Sequence, residues 1–285
     1  MNPELPSVEV VKRAVLLIWE KRKFALFISS PLIVLYLLSG IGEDTGTFVI
    51  FPGGSEEGQS TFLPGLMQAV VFFIGSLVLV FVLFVMAVYW HRSVLLDENT
   101  VHGVPLRFDA IIWRYVPYGI LTSVLCTAAF VFFGTALSSM LTSFSVHQSA
   151  VDVFVFVVLM PLALWLGVAS FRLGLVLPAK AIARRSFGLR AAWRLSKGYG
   201  WNLLAIISLY FLANIVLVLP LIVAAAIVAF HSNGAVLNPL DLLPKTLSEG
   251  VISVLAAVQA LLGVGILSVT YAYLTYKTGA RSSQD

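Results

Sequence analysis

From Phe62 to Trp90 the chain carries no charged side chain, and after Pro64 and Gly65 at its start it is interrupted only by Gln68, Gly75 and Ser76. A helix rises 1.5 Å per residue and needs roughly 20 apolar residues to cross a hydrocarbon core of about 30 Å, so a run of this length reads as a membrane span. Five further runs share the property, over residues 24–40, 115–137, 153–177, 201–230 and 251–276, with Arg172 the one charge inside them. In lipid every backbone N–H and C=O must be satisfied within the segment, which leaves helices as the form for runs of this kind. The expected fold is therefore an all-α integral membrane protein with six transmembrane helices. Residues 1–23 form a cytoplasmic interfacial arm, 24–276 the six-span membrane domain, and 277–285 a cytoplasmic tail. The 24–40 run is near the lower limit for a span. The long charged stretch before it and the poor cleavage site after it favour an uncleaved first helix over a secretory signal.

Composition rules out a soluble alternative. Hydrophobic residues make up 59% of the chain and charged residues 11%, against about 25% charged in ordinary soluble domains. The single cysteine, Cys126, excludes an internal disulfide or a CxxC motif. Its apolar surroundings predict a small packed side chain.

The sign of each connection fixes the expected orientation. Of the eighteen Lys and Arg residues, all but Lys245 fall in the N-terminal arm, in the connections after the second and fourth spans with their boundaries, and in the tail. Residues 41–61 hold Glu43, Asp44, Glu56 and Glu57 and no basic residue. By the excess of Lys and Arg in cytoplasmic loops, both termini are expected in the cytoplasm.

The arm, SVEVVKRAVLLIWEKRK, places Val8, Val11, Val15 and Ile18 at helical spacing, with Ser7 in position to cap. An interfacial helix leading into the membrane follows. In the connection after the second span, Asp109 is placed to cap a short helix holding Trp113 and Arg114, which Pro117 would end or bend.

Two cytoplasmic connections share a spacing. Arg92 precedes Trp113 and Arg114 by the same intervals as Arg172 precedes Trp193 and Arg194, and Trp19 before Lys21 offers a looser third copy. The pattern predicts an internal repeat of interfacial helix plus hairpin. Arg92 and Arg172 are expected to snorkel to headgroup level, with Asp97 and Glu98 as carboxylates near Arg92. Between Ser186 and Gly198, a helix with Arg190, Arg194 and Lys197 on one face and Leu189, Ala192 and Trp193 on another would lie flat on the membrane. With Arg184 and Arg185 just before it, this segment would be attracted to an anionic leaflet by about 1 kcal/mol per basic residue. A topology determinant is the simplest account of these charges. Contact with lipid headgroups or an acidic protein partner through Arg172, Arg184, Arg185, Arg190, Trp193, Arg194 and Lys197, with Arg92, Trp113 and Arg114 from the first copy, is the functional one.

An arginine, then LVLP, then a basic glycine-containing turn and AAWRLSKG before the next span resembles the multi-span membrane-domain family fused to some bacterial glycerophosphodiester phosphodiesterases and found in stand-alone bacterial membrane proteins. The first-half counterpart is YWHRSVLLDE. The likeness is close over residues 171–201 and elsewhere only a hydropathy pattern. It implies a bacterial inner-membrane location, and it does not imply phosphodiesterase activity, because the soluble catalytic domain of the fused members has no counterpart in this sequence.

Other chemistry finds little support. His91 and His102 sit with Asp97 and Glu98 in one connection, but the spacing matches no HxxxH or HExxH pattern. There is no GxSxG or Walker loop, and GVG at Gly263–Gly265 lies in an apolar run where close helix packing accounts for it. Gln68, Asn214 and Gln259 near mid-span, with Pro31, Pro161 and Pro220, are features of some transport pathways. Helix-to-helix hydrogen bonding explains the amides with fewer assumptions, and no acid lies deep in a span to couple protons. The reading is a non-enzymatic inner-membrane protein binding anionic headgroups or a protein partner, with a small transporter or lipid-handling permease as the alternative. No cofactor, metal or nucleic acid enters it.

Overall fold

The computed structural model describes residues 6–45, 62–97, 110–143, 150–184, 186–231 and 245–282. The described residues form α1 (Ser7–Glu20), α2 (Arg22–Thr45), α3 (Phe62–Leu95), α4 (Ala110–Ser143), α5 (Ala150–Gly174), α6 (Val176–Ala181), α7 (Leu189–Leu195), α8 (Gly200–His231) and α9 (Lys245–Ser282), with no strand among them. Five contain stretches long and apolar enough to cross a membrane: Phe73–Leu95, Ala110–Ala136, Val157–Ala181, Gly200–Pro220 and Gly250–Tyr276. The all-helical, multi-pass character expected from the apolar runs is thus present. The 24–40 run lies in α2.

Prolines divide these helices less than the sequence implies. Pro31, Pro117, Pro161 and Pro220 lie inside α2, α4, α5 and α8 without ending them. Unlike the expected short helix closed by Pro117, α4 starts at Ala110 and runs on to Ser143, so Trp113 and Arg114 occupy the first turns of a long helix. Asp109, the expected cap, lies outside the described residues.

The break falls instead at Gly174. Pro178 has no N–H to offer the Gly174 carbonyl, so that bond of the ladder is missing where α5 ends. A 3.4 Å bond from the Leu175 N–H to the Arg172 carbonyl tightens the turn, and the chain resumes as α6. Five of the six residues of α6 are buried, so protein rather than lipid covers the interrupted backbone.

α9 is the element around which the rest assemble, packing against α1, α2, α3, α6, α7 and α8, while α4 and α5 form an extensive hairpin beside them. Two glycines permit the close approaches. A Cβ on Gly263 would sit 3.4 Å from the Tyr210 hydroxyl, and one on Gly265 3.3 Å from Trp90 Nε1 and 3.6 Å from Ala14 Cβ. The GVG sequence therefore serves helix packing, as expected.

Among the described residues, a buried core forms at the end of the bundle where the last turns of α3 (Phe84–Trp90), the first turns of α4 (Ile112, Tyr115), α6, the start of α8 (Leu203, Ile206) and the later turns of α9 (Ile266, Tyr271, Leu274) converge. α1 lies across this end. Its buried stripe is Val10, Ala14 and Leu17, whereas Val8 and Val15, which the apolar spacing assigned to the same face as Val11 and Ile18, are exposed. Trp19, also on the exposed side, is 69% accessible and lies under the Arg22 guanidinium at 5.2 Å. Ser7 does not cap α1. It is the first helical residue, and its hydroxyl donates to the Asn202 carbonyl at 3.1 Å, joining the arm to α8. At the other end of α1, Lys21 Nζ donates to the Ser93 carbonyl at 2.6 Å and to Asp97 at 2.9 Å, joining it to α3. Asp97 therefore pairs with the arm. Glu98 lies outside the described residues.

Candidate functional site

The junction from α5 to α8 gathers the second basic cluster. After α6 the chain turns through Ala183, in the left-handed region at φ 62°, and enters α7 at Leu189 with Gly188 as its N-cap. Ser186, the expected cap, lies in the preceding turn, and Arg185 lies outside the described residues. α7 ends at Leu195, earlier than the expected Gly198, whose φ of 90° turns the chain into α8. The left-handed conformation explains glycine at that turn.

The two expected faces of α7 are present in part, since Lys197 lies beyond its end and Trp193 is exposed. Ala192 is buried and Leu189 packs against the core, while Arg190, Arg194 and Lys197 are exposed. Trp193 stands between, 40% accessible, and lines an open depression of about 400 Å³ with Arg190 and Arg194. None of the ion pairs among the described residues involves these three cations.

Arg172, at the end of α5, reaches the same place from beneath. Its guanidinium carbon lies 5.0 Å from the centre of the Trp193 ring. Cation and indole face attract through the ring quadrupole, by about 0.5–1 kcal/mol at accessible sites and more when water is excluded. One terminal nitrogen, Nη2, fills the space above Gly200, where a Cβ would approach to 2.9 Å. Its Nε is buried with no hydrogen-bond partner among the described residues. Gly200 begins α8, so the guanidinium adds positive charge to a helix end already partly positive, an arrangement that favours a nearby anion.

The other expected contact residues disperse. Arg184 donates to the Tyr271 hydroxyl at 3.2 Å, on α9, and so ties the turn after α6 to the bundle. In the first half, Arg114 is exposed, Arg92 is partly buried near the end of α3, and Trp113, 65% accessible, packs against Phe81 of α3 at a ring-centre distance of 6.0 Å. The arginine and tryptophan related by spacing thus meet in the second half, and in the first half the tryptophan has Phe81 for a neighbour.

A buried polar cluster was missed by reading His91 as a loop histidine. His91 is fully buried in α3. Its Nδ1 is 2.7 Å from the Ser268 hydroxyl oxygen, and the Tyr115 hydroxyl is 3.3 Å from its Nε2. With the Ser268 proton on the Val264 carbonyl at 2.9 Å, its oxygen accepts from His91 Nδ1–H. Nε2 is then the acceptor for Tyr115. The neutral imidazole has its donor and acceptor both satisfied and links α3 to α4 and α9. His102 lies outside the described residues, and no group of three or more metal-capable side chains occurs among those described.

The mid-span amides are also accounted for in part. Asn214 Nδ2 donates within its own helix to the Tyr210 carbonyl at 2.7 Å, and the contact to α9 is made by the Tyr210 hydroxyl on the Gln259 carbonyl at 3.4 Å. The Gln68 side chain lies outside the described residues. Cys126, expected to be packed, is exposed on α4. Comparison of the chain with protein-family models, with curated proteins and with solved structures finds no match in any of the three.

Proposed function

We propose that the chain is a six-span bacterial inner-membrane protein, with α2 as its first span and both termini cytoplasmic, that acts without catalysis by holding anionic lipid headgroups on its basic end. The reading rests on the exposed Arg190, Arg194 and Lys197 beside Trp193, with no carboxylate paired with those cations among the described residues. Exposed tryptophans and arginines are the usual occupants of the layer between hydrocarbon and water. Trp201, 83% accessible at the start of α8, and Trp19 beside Arg22 on α1 mark the same layer. α1 then lies in the interface with one face on the bundle, one in lipid and one in water. The resemblance to the membrane domain of glycerophosphodiester phosphodiesterases and the repeat of arginine and tryptophan spacing belong to this proposal.

Exchange of Arg190, Arg194 and Lys197 for Gln in the full chain provides the test. In detergent, phosphatidylglycerol should raise the thermal unfolding midpoint of the wild type above the value in phosphatidylcholine. The triple variant should lose most of that difference, because three basic residues near anionic headgroups contribute about 3 kcal/mol. An equal phosphatidylglycerol effect on both proteins would refute the proposal.

A further inference from the structure

Gln259 lies about 14 Å along the apolar stretch Gly250–Tyr276 from its Gly250 end, well inside a hydrocarbon core of about 30 Å. Polar side chains at such depth ordinarily bond to their own helix or to a neighbour. Ser253, Ser268 and Thr275 of α9 return their protons to its carbonyls, and Asn214 on α8 donates to the Tyr210 carbonyl at 2.7 Å. The Gln259 carboxamide departs from this pattern. It is partly exposed and has no hydrogen-bond partner among the described residues, and only the backbone carbonyl of Gln259 is engaged, by the Tyr210 hydroxyl at 3.4 Å.

We infer that two copies of the chain associate within the membrane through the Gly250 half of α9, the carboxamide of Gln259 pairing with Gln259 of the partner subunit. The inference concerns the spans and is independent of the headgroup reading above.

Depth points to a protein partner. Lipid tails carry neither donor nor acceptor, and the polar atoms of lipids stand outside the hydrocarbon core. An amide left bare in that layer is costly. A face is open to receive the partner. Side chains on a helix lean toward its N-terminus, which carries the carboxamide away from the Tyr210 contact and toward Ile252. Ile252 lies two turns earlier on the same side and is exposed, and Ala256 between them is small enough to let another helix come close.

Symmetry points to a second copy. Two chains inserted the same way are related by a two-fold axis along the membrane normal, so a residue beside that axis meets itself at its own depth. Only a group that both donates and accepts can satisfy itself there. The carboxamide has an NH₂ and a carbonyl oxygen, so two of them pair through reciprocal N–H···O=C bonds. A lysine, an arginine or an ionised carboxylate at the same place would repel its copy.

The full chain, prepared with a donor or an acceptor fluorophore at its C-terminus and reconstituted together in phosphatidylcholine vesicles, tests the pairing. Energy transfer in the wild type should persist as the protein is diluted with lipid. Gln259→Leu should dissociate at a protein-to-lipid ratio about tenfold higher, a change of about 1.4 kcal/mol. Asn214→Leu, which removes an amide bonded within its own helix, should leave that ratio unchanged. In dilute detergent, where the chain is monomeric, Gln259→Leu should unfold at a temperature no lower than the wild type, because the amide is bonded to nothing in its own chain. Absence of transfer in the wild type at every ratio would overturn the association. Equal dissociation of the wild type and Gln259→Leu, or an equal effect of Asn214→Leu, would overturn the role of Gln259. A lower unfolding midpoint for monomeric Gln259→Leu would also overturn it, by placing the partner of the amide within the chain or in a bound small molecule.

Discussion

His91 shows how much a single buried polar side chain can organise. Its two ring nitrogens are matched to Ser268 on α9 and Tyr115 on α4, and the proton arrangement is determined by where Ser268 sends its own hydrogen. Such a group specifies register between helices, because in lipid the apolar contacts around it distinguish neighbouring registers only weakly. Replacement by Phe would keep the ring but strand the Tyr115 hydroxyl. Truncation to Ala would also open a cavity, and the expected loss for His91→Ala is about 2–4 kcal/mol. Unfolding in mixed micelles with a graded denaturing detergent measures it, and a loss comparable to that of an exposed-site control would remove the pin. In the sequence, His91 stands beside Arg92 at the end of an apolar run and looks like the first residue of a loop. Its burial depends on a serine 177 positions away, which no local pattern contains.

At the level of elements, α1 has two apolar sides, and the apolar spacing of the sequence does not say which of them meets the protein. Val8 and Val15 with Trp19 make one apolar side, and Val10, Ala14 and Leu17 make another. Both are equally hydrophobic on paper, and lipid accepts one as readily as the protein accepts the other. What separates them is size: Ala14 faces Gly265, where the helices come closest, and Trp19 faces outward. The end of α1 is held by Lys21 to Asp97, a pair with the acid side chain 83% exposed. The Lys21 ammonium, by hydrogen bond and then by charge, holds the Asp97 carboxyl below its ordinary pKa of 3.8. A depressed carboxylate pKa stabilises the folded form at pH values above the ordinary value, and that contribution disappears as the pH falls through the lowered one. The Asp97 carboxyl should therefore titrate at lower pH in the wild type than in Lys21→Gln, as read by carbon NMR of labelled aspartate. Identical midpoints would dissolve the latch. The break between α5 and α6 was hidden for a related reason. The apolar run passes smoothly through Gly174, and only Pro178, four residues on, marks the carbonyl that loses its partner.

Across the whole molecule, the helical class and the general placement of the long apolar helices were legible, since they follow from charge-free length and need no knowledge of neighbours. The basic surface was legible as composition but not as shape. Arg172 and Trp193 are a span boundary and an interfacial helix in the sequence, and their meeting depends on the turn through Ala183 and Gly198 between α6 and α8. The proposed orientation has a direct test. A reporter inserted between residues 41 and 61 should be active only in a form that functions outside the cytoplasm. Cytoplasmic activity at that position would invert the bundle and move the basic end to the opposite face.

The arm that lies across the end of the bundle also constrains how the protein is made. Ser7 meets Asn202, 195 residues later in the chain. At about 5–20 residues per second, the ribosome needs roughly 10–40 s to deliver that partner after the arm has emerged. During that interval the Val10, Ala14 and Leu17 stripe has neither α8 nor α9 to cover it. In the proposed interfacial placement, the arm waits at the membrane surface, with Trp19 and its basic neighbours as a mooring, until the late helices arrive to close the structure over it.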